Sequence, residues 1–309
     1  MRTHRVVTVS LVLATLVVLA SARGAVATPR ASYRLPPPDP ILQAQLTSLL
    51  NESPYRRLIN ERRLSVALVD VTDIDHVRYA GHDADRMRYA ASLPKIGILL
   101  GVFDQIERGR LRYTPALRGR LELMIRNSDN RISSELIRTV GFQNIARTLE
   151  DPNHELYDRN RRGGIWVGRG FGSGVGLWRR DPLANISHGA TARQAARFFV
   201  LLERGELVSP WASAEMKSIL GDPALHHKFV LGLESSHPDS KIYRKSGSWQ
   251  TYHADAALVE RDGRKYVAAA LLESPTTSSQ GVLASLIVRL DDLVFKTPMV
   301  AGALADGSR

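Results

Sequence analysis

Ala91-Ser92-Leu93-Pro94-Lys95-Ile96-Gly97-Ile98-Leu99-Leu100, ASLPKIGILL, opens an apolar segment of helical spacing and sets a lysine in its first turn. The spacing predicts a helix from Ser92 to about Arg108 and stacks Lys95 over Leu99, Val102 and Ile106, the stripe that faces a core. Two effects oppose the charge there. A helix N-terminus carries partial positive charge, and burial penalises an ammonium. A plain N-cap explains Ser92 but leaves a lysine on the apolar stripe unexplained. Serine chemistry explains both. A hydroxyl becomes a competent nucleophile when a neighbouring base takes its proton, and three residues along a helix is the same face. A lysine can be that base only if its ammonium is destabilised, which both effects achieve. The Ser92 amide at the same helix start would face a developing oxyanion.

Outward from this segment, both ends of the chain read as strands and the middle as helices. Ile41 to Asn60 is predicted as one amphipathic helix, Leu64 to Val71 as a strand, and Val77 to Ala80 as a second short strand. Helical signals dominate from Ser92 to about residue 205. Leu121 to Met124 leads into Asn127-Ser128-Asp129-Asn130, and the pattern resumes at Ile132, Leu136 and Ile137. Residues 151–190 are irregular and glycine-rich. Thr191 with Gln194 three residues on forms a capping-box signature before Ala195 to Glu203. Lys241–Ser246, His253–Glu260 and Lys265–Glu273 are strand-like, and Gln280 to Lys296 reads as a closing helix. The simplest packing is an α/β (α+β) fold: an antiparallel sheet built from both chain ends, flanked by helices, with an inserted all-helical lobe. The expected division is 41–88 and 206–300 for the α/β lobe and 89–205 for the helical lobe.

Two further short motifs follow the first in order. Ser128-Asp129-Asn130 falls in a loop of the helical region, and Lys245-Ser246-Gly247-Ser248 falls on a strand. Singly, the former is ordinary turn composition and the latter an ordinary edge-strand end. Together, in this order and in these settings, they match the set that marks class A β-lactamases and penicillin-binding proteins. From about residue 41 to 300 the chain resembles that superfamily of serine hydrolases. Tyr89-Ala90-Ala91, Gly189-Ala190-Thr191 and the strand-strand-strand-helix ending add to the likeness. The resemblance implies the β-lactamase/transpeptidase-like fold, Ser92 as acylated nucleophile and Lys95 as its base. It implies that Ser128 passes a proton to the leaving nitrogen and that Asn130 holds the substrate's amide side chain. Lys245 and Ser246 would attract the substrate carboxylate, and the amides of Ser92 and Ser248 would form the oxyanion hole beside Gly247. The implied activity is β-lactam ring opening through an acyl-serine. A D-alanyl-D-alanine carboxypeptidase-type activity and a covalent penicillin-binding sensor are the alternatives. No cofactor or metal is implied; the expected partner is a small β-lactam or cell-wall peptide substrate, with no nucleic acid and no stable membrane insertion after leader cleavage, and the protein is expected as a monomer.

The likeness has two departures. Ser128 follows Ser92 by only 36 positions, so part of the helical lobe is trimmed. The glutamate that activates the deacylating water in class A enzymes, in a Glu-x-x-Leu-Asn pattern, has no counterpart. The nearest analogue is Arg179-Arg180-Asp181-Pro182-Leu183-Ala184-Asn185, where Asp181 and Asn185 are spaced to share a water. An N-cap role or a salt bridge to Arg179 is the structural alternative for Asp181.

The remaining signals concern location. Arg2, His4 and Arg5 precede the apolar run Val6 to Ala20, with small-residue sites near Ala22 and Ala27, the layout of a secretory signal peptide over residues 1–27. The run is short for a bilayer span, which takes about 20 residues; an uncleaved anchor is the other reading. A proline-rich linker (28–40) follows, and 301–309 is expected as a flexible tail. Loss of the leader would lower the formal net charge from +11 to about +8. Such an exported basic protein, periplasmic or extracellular, suits an anionic envelope better than nucleic acid, since its arginines are scattered. The chain has no cysteine, which excludes disulfides, thiolate metal sites and a cysteine nucleophile. Gly170-Phe171-Gly172-Ser173-Gly174 lacks the strand-to-helix setting of a phosphate loop and reads as a loop near the site. His226-His227 reads as surface. Of the tryptophans, Trp249, together with Tyr252, is the one expected at the cleft.

Overall fold

The computed structural model describes residues 32–160, 162–172, 176–274 and 280–297. The expected leader, the start of the proline-rich stretch, Ser173 and Gly174, and the tail 301–309 lie outside the described residues. In chain order the elements are α1 (Pro40–Leu50), α2 (Tyr55–Asn60), β1 (Leu64–Asp70), β2 (Arg78–His82), β3 (Arg88–Tyr89), α3 (Lys95–Glu107), α4 (Pro115–Arg126), α5 (Asn130–Val140) and α6 (Phe142–Glu150). Then come the short strands β4 (Tyr157–Asp158), β5 (Gly163–Gly164), β6 (Trp166–Val167) and β7 (His188–Ala190). The chain continues with α7 (Ala192–Glu203), α8 (Pro210–Leu220), α9 (Phe229–Ser236), β8 (Lys241–Trp249), β9 (Tyr252–Arg261), β10 (Arg264–Glu273) and α10 (Gln280–Lys296).

The two chain ends meet in one five-stranded antiparallel sheet of order β2-β1-β10-β9-β8. Period-2 alternation sends its side chains to two apolar layers. Val66, Leu68, Ala257, Val259, Ala268 and Ala270 pack with Leu46 and Leu50 of α1 and Leu286, Ile287 and Leu290 of α10. Their neighbours Ala67, Val69, Ala256, Leu258, Val267 and Ala269 join Phe198, Phe199 and Leu202 of α7 and Leu99, Val102 and Phe103 of α3. Both faces being covered, the strands read as nearly continuous apolar runs, a pattern more usual in parallel sheets.

The structure redraws several expected boundaries. The helix expected over 41–60 is two helices. α1 ends at Leu50, and Pro54, which has no N–H to continue a helix, caps α2. The second strand runs from Arg78 to His82, and α8 and α9 fill a stretch that carries little sequence signal. Thr191 caps α7 as expected, its hydroxyl accepting from the Gln194 N–H at 3.2 Å, while the Gln194 side chain accepts from Arg197 instead of closing a reciprocal box. α7 packs on β1, β9 and β10, so the span 89–205 ends in a helix of the sheet layer. The helix expected to open at Ser92 begins at Lys95, with Pro94 at its cap position and no side-chain cap. Ser92 lies in the turn before it.

Candidate active site

α3 is the axis of the helical lobe, packed on α4, α5 and α6. Every residue from Lys95 to Gln105 is buried. The Lys95 side chain is 0% exposed, and its Nζ has found acceptors at the start of α5. It donates to the Ser128 carbonyl at 2.5 Å, the Ser128 Oγ at 3.2 Å and the Asn130 Oδ1 at 2.8 Å. Burial pulls its pKa down to about 7, with Asp129 opposing that fall. The Asp129 carboxylate caps α5, accepting from the Ile132 N–H at 2.7 Å. This fixes the turn that carries Ser128, whose φ of 58° is left-handed.

The third motif arrives from the edge of the sheet. β8 runs along the Ser92 turn so closely that a Cβ on Gly247 would lie 2.2 Å from the Ala90 carbonyl oxygen and 2.7 Å from the Ser92 nitrogen. Only glycine allows this approach, which sets Ser248 beside Ser92 on the wall of a cleft of about 610 Å³. One residue before Gly247, the strand's Ser246 points to the opposite face. Lys245 points inward, is buried, and donates from Nζ to the Ser128 Oγ at 2.9 Å and the Ser246 carbonyl at 2.7 Å. Burial, and the Lys95 amine next to it, hold its pKa well below the usual lysine range. The Ser128 hydroxyl thus bridges two buried amines contributed by helix and sheet.

Ser92, Asn130 and Ser248 line the cleft with Tyr89, Arg169, Phe171, His188, Trp249 and Tyr252. Ala91, just before Ser92, holds a left-handed φ of 49°, a conformation that costs a non-glycine residue about 1–3 kcal/mol and concentrates at functional sites. Trp249 is 58% exposed at the cleft mouth, and Tyr252 packs edge-on against Tyr89 with centroids 5.2 Å apart. Trp166 is buried in the core, and Trp178 stacks between it and Phe142.

The fourth expected group is not brought to this cleft. Ile186, Ser187 and His188 line it, whereas Asp181 and Asn185 do not. The Asp181 carboxylate is buried and turned inward. One oxygen accepts from the Tyr157 hydroxyl and the other from the Ala184 N–H at 2.5 Å, and the Asn185 N–H closes the turn onto the Asp181 carbonyl at 2.9 Å. Asn185 is exposed with φ 55°. No aspartate or glutamate lines the cleft among the described residues.

Three groups escape the sequence motifs. His188 on β7 bonds through Nε2 with the Arg169 carbonyl at 2.9 Å and packs on Phe171, whose ring lies 4.8 Å from the Lys95 Nζ. Burial lowers its pKa to about 4. His227, expected at the surface, is half-buried and bonded to Ser246 at 3.1 Å. Lys228 is a third fully buried lysine beside β8. No residue-type signal separates these from surface histidines and lysines. Among the described residues His237, Asp291 and Asp292 bring metal-type ligand atoms together, but Arg261 already holds the Asp291 carboxylate at 2.5 Å.

The sheet order, the inserted helices and three polar motifs meeting at one cleft define a serine hydrolase of β-lactamase-like fold. The profile of the beta-lactamase enzyme family matches residues 115–296, more than half of the chain, and the chain belongs to that family. The matched span includes Ser128, Asn130, Lys245 and Ser246; Ser92 and Lys95 precede it. The fold is similar to that of a beta-lactamase from Sphaerobacter thermophilus, with 15% identity, TM-score 0.62 and coverage of 80% of this chain and 95% of that one. It is similar to PBP-A at 20% identity and TM-score 0.62, covering 85% and 99%; a PBP-A variant was solved as an acyl-enzyme with penicillin G. A variant of the class A beta-lactamase of the last common ancestor of Gram-negative bacteria matches at 19% identity and TM-score 0.62, covering 83% and 99%. A search among curated proteins finds no match.

Proposed function

We infer that this chain opens β-lactam rings by acylating Ser92, and that it releases the acyl group slowly. The observation that carries this reading is the Ser128 hydroxyl held between the buried Nζ atoms of Lys95 and Lys245, at 3.2 and 2.9 Å. Such an arrangement moves one proton along a short path. An uncharged Lys95 takes the proton of the Ser92 hydroxyl as its Oγ bonds to the lactam carbonyl carbon. When the C–N bond breaks, the proton passes through Ser128 to the leaving nitrogen, so the acyl-serine forms with no net proton change. The amides of Ser92 and Ser248 receive the oxyanion. Lys245 attracts the substrate carboxylate and Asn130 holds the acyl side chain, while Ser246, which points away from the cleft onto His227, takes no part.

Slow release follows from the other half of the site. Hydrolysis of the acyl-serine needs a base that orients a water, and both oxygens of Asp181 are already engaged, one by its own turn and the other by the Tyr157 hydroxyl, away from the cleft. We therefore assign Asp181 and Asn185 to the structure of that turn and not to turnover. This favours a penicillin-binding protein or slow β-lactamase over a fast resistance enzyme. The leader signature supports a place outside the cytoplasm; a mature N-terminus that retains residues 1–27 would oppose it.

Intact-mass measurement after mixing with penicillin G tests the reading. We expect one adduct per chain that persists after excess drug is removed, and no adduct on Ser92→Ala. An unmodified wild-type protein, or an adduct that survives in Ser92→Ala, overturns the assignment.

A further inference from the structure

The cleft wall carries one charge that the acylation path does not use. Arg169 is the only charged side chain lining the cleft among the described residues; Lys95 and Lys245 are buried and do not line it. Arg169 is exposed, and no carboxylate or hydrogen-bond acceptor among those residues meets its guanidinium. Arg159 and Arg162, from the same irregular stretch, are tied to Glu150 at 2.7 Å and to Asp85 at 2.6 Å. An arginine left without an acid in a concave site keeps a positive potential there.

The position of Arg169 is fixed through its backbone. It pairs with Leu177, and its carbonyl accepts from the His188 Nε2–H at 2.9 Å. The His188 carbonyl in turn accepts at 2.9 Å from the N–H of Ala90, two residues before Ser92. The guanidinium lies close to the Tyr89 hydroxyl and the His188 ring. Burial raises the Tyr89 pKa against the opposing charge of Arg169, and burial, with the charges of Lys95 and Arg169, lowers that of His188. Lys245 is held elsewhere, at Ser128, so the two cations stand at separate points of the site. From Arg169 the loop continues through Phe171, which is tied to Ser134 by bonds of 2.9 and 2.7 Å. It reaches Gly172, where an added Cβ would sit 3.5 Å from the Asn130 Cβ. Residues 169–172 therefore form the wall that begins at Asn130, and a substituent beyond the amide that Asn130 holds runs along this wall towards Arg169.

We propose that Arg169 is a specificity-determining residue that binds an anionic group on the acyl side of the substrate, so that the cleft prefers β-lactams or cell-wall peptides carrying a second carboxylate there, beyond the one that faces Lys245. A guanidinium takes a carboxylate through two parallel N–H donors, and on this wall it meets no competing acid. The proposal rests on the acylation reading above and adds the substrate subclass that the site favours.

The test uses two penicillins that differ by one charge: penicillin G, and carbenicillin, which adds a carboxylate on the benzylic carbon. Intact-mass time courses on the whole protein give an acylation rate constant for each, and the readout is the carbenicillin-to-penicillin G ratio. In Arg169→Gln the ratio is expected to fall about three- to ten-fold, the scale of one charge-assisted contact at a partly exposed site. Arg169→Lys, which keeps the charge and loses the planar fork, recovers part of the loss. In the unaltered protein the ratio falls as salt rises from about 50 to about 500 mM, because an exposed pair is screened; this tests the charge without any variant. An unchanged ratio in Arg169→Gln, or a ratio independent of salt, overturns the proposal and leaves acylation of Ser92 standing. If neither penicillin labels the unaltered protein, the acylation reading falls with it.

Discussion

Two polar turns, one opening onto the cleft and one turned away from it, are built in opposite ways. In the turn at Ser128 the backbone is capped by Asp129, which leaves the Ser128 hydroxyl to Lys95 and Lys245 and the Asn130 Oδ1 to Lys95. In the turn at Asp181 the acid itself supplies the cap, and its second oxygen goes to Tyr157. Where one residue carries the structure and its neighbour the chemistry, reactive groups remain available. Where one residue does the structural work alone, nothing is left over. The contrast explains how a protein can be equipped to form an acyl-enzyme and poorly equipped to break it.

The sharpest way to break this comparison is to remove the base. Lys95→Met keeps the packing volume and loses the amine, so the acylation rate is expected to fall by about 10²–10⁴-fold, the usual contribution of a general base. Stopped-flow acylation showing less than ten-fold would place the base elsewhere. The pH profile sharpens the same point. With Lys95 at a pKa of about 7, acylation should lose about ten-fold per pH unit below 7 as the amine becomes protonated. A flat profile between pH 5 and 8 would contradict the role.

Stability carries a second signature of the same amines. Lys95 and Lys228 titrate near 7 in the folded chain against 10.5 for an ordinary lysine. Between those values the unfolded chain binds more protons, so stability rises with pH from about 7 to 10. Above 10 the trend reverses, because Tyr79, pushed by burial to about 12, keeps its proton in the folded state. Denaturant midpoints at pH 7 and 9.5 check the direction. The smallest effect is expected at Asp181. Asp181→Asn should lower stability by about 1–3 kcal/mol through its weakened buried hydrogen bonds, with the acyl-enzyme lifetime unchanged. A longer lifetime would return Asp181 to the chemistry.

Much of this was legible before any coordinates. A lysine on an apolar stripe is a costly residue, and cost is readable one residue at a time. The apolar, β-branched run of Leu64–Asp70 and the three strand-like C-terminal runs were equally local, as was the closing helix from Gln280 to Lys296. The break at Pro54 and the helices α8 and α9 were harder, because their apolar residues answer to neighbours distant in sequence. His227 and Lys228 could not be found at all. Their only distinction is that Arg244 and Asp255, on two adjacent strands, hold them against β8.

By itself the sequence determined which side chains were available for acyl transfer, and that one lysine would be held where its charge is disfavoured, because local spacing and burial are encoded residue by residue. Only the tertiary structure decided which of them meet. It brought Lys95 and Lys245 to one hydroxyl and turned Asp181 away, because a side chain's role depends on which partners satisfy it, and those partners come from other elements of the fold.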